Sequence, residues 1–417
     1  MNPLLISGFG TSINVEKRKL VISNKLKNEK LEFYPHQIDH DSIIVDGHTG
    51  SITFESMRWL MKHDINLTLL NWNGNLLGIT LPQEPKIGKL RIKQYQKYLD
   101  DKTRFQIALE FVKSKVSSSL DLIEELSRFY GILNFSHVKS QYDSEFQNYN
   151  LNLKNDSSQI SDKLRLLMMY EGRIAQINLD QFMNLVSELA PDFKFSGRKN
   201  KSNSWNMNAS DEINALLNYG YAILESRVRK FLNSVGLDPT IGFLHEIAYG
   251  KTPLVYDFQE LFRWIVDYSV IQLLDDKSKL KKSDFIVTEN YHIRLKENTA
   301  KLLIEKIRNN FNKKIPFRGK NYTYENVFFY KVQEFANYIS EKNNKLDFKI
   351  PEFKIKEDDT ISLKEKIMKM TPDERRKLGI RKNTLWYMKK NISDGKNIKI
   401  YDKVLSKLDL NEDQTTS

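Results

Sequence analysis

The stretch GFLHEIAYGKTPLVYDFQELFR, residues 242–263, decides how the middle of the chain is read. Leu254, Val255, Phe258, Leu261 and Phe262 recur at three- and four-residue intervals, which predicts a helix with its apolar stripe turned to a core. Asp257 and Glu260 lie three positions apart on the edge of that stripe, so they share a face. Partly buried acids side by side are costly without a positive partner. With His245 they offer hard oxygen and borderline nitrogen donors, a set that suits Mg²⁺ or Mn²⁺, the imidazole tilting the choice towards Mn²⁺. Such an ion polarises a phosphoryl oxygen and orients an in-line attack. The spacing alone leaves a second reading open, in which His245 is a core or capping histidine and the acids sit on a solvated face. Glu246 competes with His245 as a ligand, and because adjacent helical residues point about 100° apart, one of the two is a bystander.

Composition narrows what the rest can be. The chain has 417 residues, 40% of them hydrophobic, enough for two or three domains with ordinary cores. A formal charge of +12 calls for a polyanionic partner, with nucleic acid ahead of an acidic membrane surface. With zero cysteines, disulfides, thiol nucleophiles and cysteine zinc sites are excluded. No apolar run is long enough to span a bilayer, and the start lacks a secretory pattern, so a cytoplasmic protein is expected.

Outward from the central stretch, long segments of helical period run from about residue 83 to 345 with few prolines, predicting a mainly α-helical domain. Gly236 and Pro239 end one of its helices. Residues 195–210, FSGRKNKSNSWNMNAS, are polar and basic and read as a loop in which Arg198, Lys199 and Lys201 either fold over DNA beside the site or belong to a disordered surface segment. Residues 1–82 contain short β-branched and aromatic bursts ending in Gly, Asn or Pro, read as a β-rich domain. One helix interrupts them, with Phe54, Met57, Leu60 and Met61 on its stripe. Residues 346–361 read as a charged linker broken by Pro351, and 362–417 as a last small domain. There Thr371, Pro372 and Glu374 form a capping box, Gly379 stops that helix, and a second helix opens at once, the helix-turn-helix pattern. The fold class is therefore α+β and multidomain.

Three blocks carry a resemblance: INALLNYGYAIL (213–224), GLDPTIGFLHE (236–246) and PLVYDFQELFR (253–263). In this order they resemble the CRISPR-associated integrase family Cas-one and its transposon-borne relatives, the casposases. MMYEGRIAQINLDQF (168–182) resembles the block that carries the family's catalytic glutamate, which falls on Glu171. The likeness spans about residues 4–340. It implies that Glu171, His245, Asp257 and Glu260 surround one divalent metal, Mg²⁺ or Mn²⁺; Arg173, beside Glu171, is a candidate DNA contact. Implied too are joining of a DNA 3′-hydroxyl end to target DNA by transesterification, the reverse disintegration, and cutting of branched DNA. The partners implied are double-stranded DNA and a second copy of the chain through the β-rich domain, with a tetramer on DNA as a higher state.

The extension beyond the helical domain favours the casposase branch, because most CRISPR versions end soon after that domain. From Lys364 to Lys407 there are fourteen Lys and Arg against five Asp and Glu, a strong electrostatic footprint. Arg381, Lys382, Asn383 and Thr384 open the second helix, where base-edge readers sit in such motifs, and Lys389 and Lys390 are placed for phosphates. Leu385 and Trp386 are expected in the small domain's core. A module of this kind would select the element's own terminal repeats. The alternatives are a CRISPR adaptation integrase working with Cas-two, and a non-catalytic DNA-binding protein that kept the fold.

Overall fold

A computed structural model describes residues 1–355 apart from 8–9, 48, 72, 84, 86, 156–158, 199–208, 210, 276–279 and 289–291, together with residues 367–368, 370–377 and 380–393. The chain divides into two compact units, Met1–Phe353 and Lys354–Ser417.

The larger unit opens with strands β1 (Pro3–Ser7), β2 (Thr11–Glu16), β3 (Lys19–Asn24), β4 (Glu29–Phe33), β5 (Ser42–Asp46) and β6 (Gly50–Ile52), helix α1 (Phe54–Lys62), and strands β7 (Asn66–Leu70) and β8 (Leu76–Ile79). They form two four-stranded sheets, ordered β1-β5-β7-β8 and β4-β3-β2-β6. The first is parallel across β1, β5 and β7 with β8 antiparallel; in the second, β6 runs parallel to β2. Ile6, Ile43 and Leu67 of the first sheet share a core with Ile13, Leu20 and Ile22 of the second and with Trp59 and Leu60 of α1. The stripe of α1 differs from the expected one, since Phe54 is 81% exposed and Met61 41% exposed. Two hydrogen bonds rotate it: Ser56 Oγ donates to the Ile13 carbonyl at 3.1 Å, and Trp59 Nε1 donates to the Arg18 carbonyl at 3.0 Å.

Helices follow: α2 (Gly88–Leu99), α3 (Asp101–Tyr130), α4 (Phe135–Asn155), α5 (Ile160–Leu189), α6 (Glu212–Val235), α7 (Pro253–Asp275), α8 (Glu297–Asn312) and α9 (Tyr324–Ile339). Two short hairpins interrupt them, β9 (Phe285–Val287) with β10 (Ile293–Leu295) before α8, and β11 (Lys314–Phe317) with β12 (Lys320–Thr323) after it. The hydrophobic period did not announce these hairpins, whose strands are only three or four residues long.

Helix α7 is the axis of the unit. The sequence predicts one buried stripe, yet Leu254, Val255, Phe258, Leu261, Phe262, Ile265, Val266 and Val270 are all fully buried, because α3, α5, α6 and α8 surround it. Gly220 of α6 permits the closest approach, as a Cβ there would lie 2.5 Å from Val266 Cγ1. Left-handed Gly236, at φ +80°, ends α6 as expected.

The segment read as a linker begins inside this unit. Phe348 stacks on Phe111 with centroids 4.2 Å apart, Ser114 Oγ donates to the Phe348 carbonyl at 2.7 Å, and Phe353 packs on Trp264. Its apolar residues Phe348, Ile350 and Phe353 are buried; the charges of Lys349 and Glu352 between them disguised a strap as a tether.

The smaller unit contains α10 (Pro372–Lys377) and α11 (Lys382–Ser393). Ile380, Leu385 and Met388 are buried, whereas Trp386 is 59% exposed, which corrects its expected core position. Leu385 and Met388 share a face three positions apart, and Trp386 falls on the opposite side. Gly379 and the Glu374 side chain lie outside the described residues. Among the described residues no helix is long and apolar enough to cross a membrane.

Candidate active site

Four segments converge at one end of a cavity of about 680 Å³: α3 with Lys115, α5 with Glu171, α7 with Glu260, and the 236–252 loop with His245. That loop is not helical, so His245 and Glu246 diverge by turn geometry, and Glu246 points to solvent while His245 lines the cavity. Buried Gln94 of α2 pins the loop's start: its Nε2 donates to the carbonyls of Asp238 (2.9 Å) and Ile241 (3.1 Å), and its Oε1 accepts from Asp238 N–H at 2.9 Å. Next, Gly242 presses against the head of α7; a Cβ there would meet Pro253 Cβ at 2.6 Å and Pro253 C at 2.7 Å.

This approach delivers three backbone N–H groups to Asp257. Its Oδ2 accepts from Phe243 N–H (2.6 Å) and Leu244 N–H (3.1 Å), and its Oδ1 accepts from His245 N–H at 3.0 Å and His245 Nδ1–H at 2.7 Å. Four donors take up a carboxylate that is itself fully buried. Asp257, expected among the metal ligands, is thus turned to the loop backbone and to the His245 ring and does not line the cavity. It fixes the imidazole as the Nδ1–H tautomer and leaves the Nε2 lone pair to the cavity. Burial alone would lower the His245 pKa, but the Asp257 hydrogen bond and charge, with Glu260 adding to them, raise it above its ordinary value.

Glu260 is 8% exposed. Its Oε1 accepts from Arg263 Nη1 at 2.9 Å, and its Oε2 lies 2.6 Å from Lys115 Nζ, an ion pair whose angle falls short of a hydrogen bond. The same ammonium hydrogen-bonds Glu171. Burial would raise the Glu260 pKa; the Lys115 and Arg263 charges outweigh it and hold the carboxyl at about 2. Arg263 is held in turn, its guanidinium 4.5 Å over the Tyr221 ring.

A divalent ion fits this donor set, with Glu171, Glu260 and His245 Nε2 as the groups that would hold it. The Lys115 ammonium already stands between the two carboxylates as a stand-in cation. Among the described residues no three His, Asp or Glu side chains are gathered tightly enough to grip an ion as they stand, for two reasons on view: Lys115 separates the acids, and Asp257 is turned to the backbone.

The expected DNA contacts fare unevenly. Arg173 is exposed on α5 and paired with Glu145 at 3.0 Å. Arg198 does not hang free in its loop: it donates to Asn214 Oδ1 and Asn218 Oδ1, both at 3.0 Å, lies over the Tyr221 ring, and has its pKa lowered by burial. Lys199 and Lys201 lie outside the described residues. In the smaller unit Arg381, Lys382 and Asn383 are exposed and Thr384 is half-buried. Lys389 Nζ donates to the Met370 carbonyl at 3.1 Å, and Lys390 sits 5.1 Å over the Trp386 ring, so both have local partners in the structure.

Sequence reasoning missed Lys115 and Arg263. The signal for Lys115 was a lysine on the buried stripe of α3, in helical register with Ala108, Phe111, Val112 and Leu122. Such a position requires an acidic partner.

The family model described as CRISPR associated protein Cas1 matches residues 4–309. A solved structure described as a casposase bound to integration product superposes with a TM-score of 0.75 at 36% identity, covering 88% of this chain and 99% of that one. The CRISPR-associated endonuclease Cas1 1 of Archaeoglobus fulgidus is 27% identical over 342 residues, 81% of this chain and 96% of that protein. In fold alone, the Cas1 protein TM1797 from Thermotoga maritima superposes with a TM-score of 0.64 at 17% identity, over 81% of this chain and 97% of that one. With the family model spanning residues 4–309 of this α+β frame, from the first strands into α8, the chain belongs to the Cas1 family.

Proposed function

We propose that the protein is a divalent-metal-dependent DNA integrase of the casposase kind, joining the 3′-hydroxyl of a DNA end to target DNA by transesterification. The observation that carries this reading is the convergence of Glu171, His245 and Glu260 on one cavity with a cation between the acids. Bound there, Mg²⁺ or Mn²⁺ supplies Lewis acidity to the phosphodiester and lowers the cost of ionising the attacking hydroxyl. The chain's own residues do the rest. Asp257 orients His245, Arg263 fixes Glu260, and Gly242 lets the loop close on α7. In the exchange, the new bond from phosphorus to the 3′ oxygen forms as the target's own P–O bond breaks. The attacking hydroxyl gives up a proton and the departing oxygen takes one up, so no covalent enzyme intermediate is needed. The same site running backwards gives disintegration, and with water as the nucleophile it gives nuclease activity.

The likeness at 36% identity to a casposase with its integration product supports this branch, as does the basic C-terminal unit beyond the matched residues 4–309. In that unit α10 and α11 are read as a helix-turn-helix, with Arg381, Lys382 and Asn383 at the exposed start of α11 reading the element's ends. A homodimer through the β-rich region, assembling to a tetramer on double-stranded DNA in the cytoplasm, completes the proposal. The match to 96% of the CRISPR-associated endonuclease of Archaeoglobus fulgidus favours a second reading, CRISPR adaptation with a Cas2 partner. A joining assay with a labelled 3′-hydroxyl end, target plasmid and Mn²⁺ tests the chemistry: covalent joining that His245→Ala abolishes supports it, and absence of joining by the intact chain refutes it. Preference for terminal repeats over unrelated ends, abolished by removal of residues 364–417, separates the first reading from the second.

A further inference from the structure

Lys115 lies on α3 amid apolar side chains and is 8% exposed, yet its ammonium contacts Glu171 and stands 2.6 Å from Glu260. Those two acids come from α5 and α7, and nothing in the helical frame obliges a lysine to join them. The gap it fills is the one a divalent ion would use. An ammonium and a doubly charged ion cannot share it, because at a few ångströms in a poorly solvated cleft their repulsion is severe. We propose that Lys115 is an intramolecular placeholder for the divalent ion: it neutralises the Glu171–Glu260 pair while the metal is away, yields the gap when the ion enters, and thereby sets the site's affinity. This rests on the metal-dependent reading above and adds to it how the site is kept folded and how tightly it binds.

The two neighbouring cations differ in their ability to leave. Arg263 is fixed on Glu260 and over the Tyr221 ring, whereas Lys115 is a point charge on a flexible four-carbon stem with an open cavity beside it. Lys115 therefore moves and Arg263 stays. Occupancy by the ammonium weakens metal binding in proportion: a gap left free one tenth of the time raises the apparent dissociation constant about tenfold.

The test uses the full-length chain stripped of metal by chelation. Lysines are reductively methylated with and without Mg²⁺ and read by mass spectrometry, with Lys113, exposed two residues away, as internal reference. Mn²⁺ binding is measured by calorimetry for the wild type and Lys115→Met. The expected result is that Mg²⁺ raises the reactivity of Lys115 several-fold relative to Lys113, and that Lys115→Met binds Mn²⁺ about tenfold more tightly. The metal-free melting temperature of the variant should fall and recover when Mn²⁺ is added. Unchanged Lys115 reactivity while calorimetry shows the ion bound overturns the proposal, as does equal Mn²⁺ affinity in the two proteins. Should Lys115→Met fail to fold without metal, the reactivity change in the wild type decides alone. Failure of both proteins to bind Mn²⁺ overturns the metal-dependent reading itself, and the placeholder with it.

Discussion

Replacing Asp257 by asparagine leaves volume almost unchanged and strips one acceptor from a group that serves four donors. With the amide nitrogen at the Oδ2 position, the N–H groups of Phe243 and Leu244 both lose their partner. Turned the other way, only His245 N–H is orphaned, because Nδ1 can accept from the amide by moving its proton to Nε2. The second arrangement leaves fewer unpaired donors and is expected to prevail. Its cost is one buried donor without a partner plus the loss of charge assistance in the remaining bonds, about 2–4 kcal/mol of stability. Its chemical effect is larger, since an Nε2 that carries a proton can neither bind an ion nor accept one from substrate. Joining activity should fall by about 10²–10⁴-fold. In the metal-free protein the raised pKa of His245 adds stability that is fully present below its ordinary value of 6.5 and is lost as pH rises through the higher folded value. Asp257→Asn should abolish that pH dependence and bring the imidazole pKa down. Thermal denaturation between pH 5 and 9, an NMR titration of the histidines and the joining assay read the three effects. Wild-type stability, titration and joining in this variant would refute the claim that Asp257 acts through His245.

The neighbouring residues carry their own expected outcomes. Glu260→Gln should abolish joining, and it should also remove stability that is present above about pH 4.5 and lost as pH falls towards 2, where the folded carboxyl titrates; acid denaturation of wild type and variant measures this. Gly242→Ala forces a Cβ to within 2.6 Å of Pro253 and should cost about 1–3 kcal/mol while lowering joining through the displaced loop, measured by denaturant unfolding beside the joining assay. Arg381→Ala and Lys382→Ala should each weaken binding to end-sequence DNA and make the slope of log affinity against log salt shallower by about one for each phosphate that is no longer neutralised. Unaltered slopes in fluorescence-anisotropy titrations would remove those two residues from the interface.

The β-rich start, the long helices and the C-terminal end of α6 were legible in the sequence, because hydrophobic period and turn residues act over a few neighbours and need no tertiary partner. Spacing and the blocks that carry the family likeness singled out Glu171, His245, Asp257 and Glu260 together, and three of these, Glu171, His245 and Glu260, line one cavity. Tertiary packing overrode the local reading in several places. Phe54 pointed outward once Ser56 found a carbonyl on β2 and Trp59 one in the turn between β2 and β3, and the charged segment after residue 345 became a strap because Phe348 and Phe353 met aromatic partners far away in the chain. Residue type and spacing determined that two acids of α7 share a face. Which of them faces the cavity was decided by Gly242, whose close approach to Pro253 brings three N–H groups onto Asp257 and leaves Glu260 to Lys115. A sequence displays the charges that must be matched, but their partners are set by which backbones touch, and Lys115 lies 56 residues from one of its acids and far further from the other.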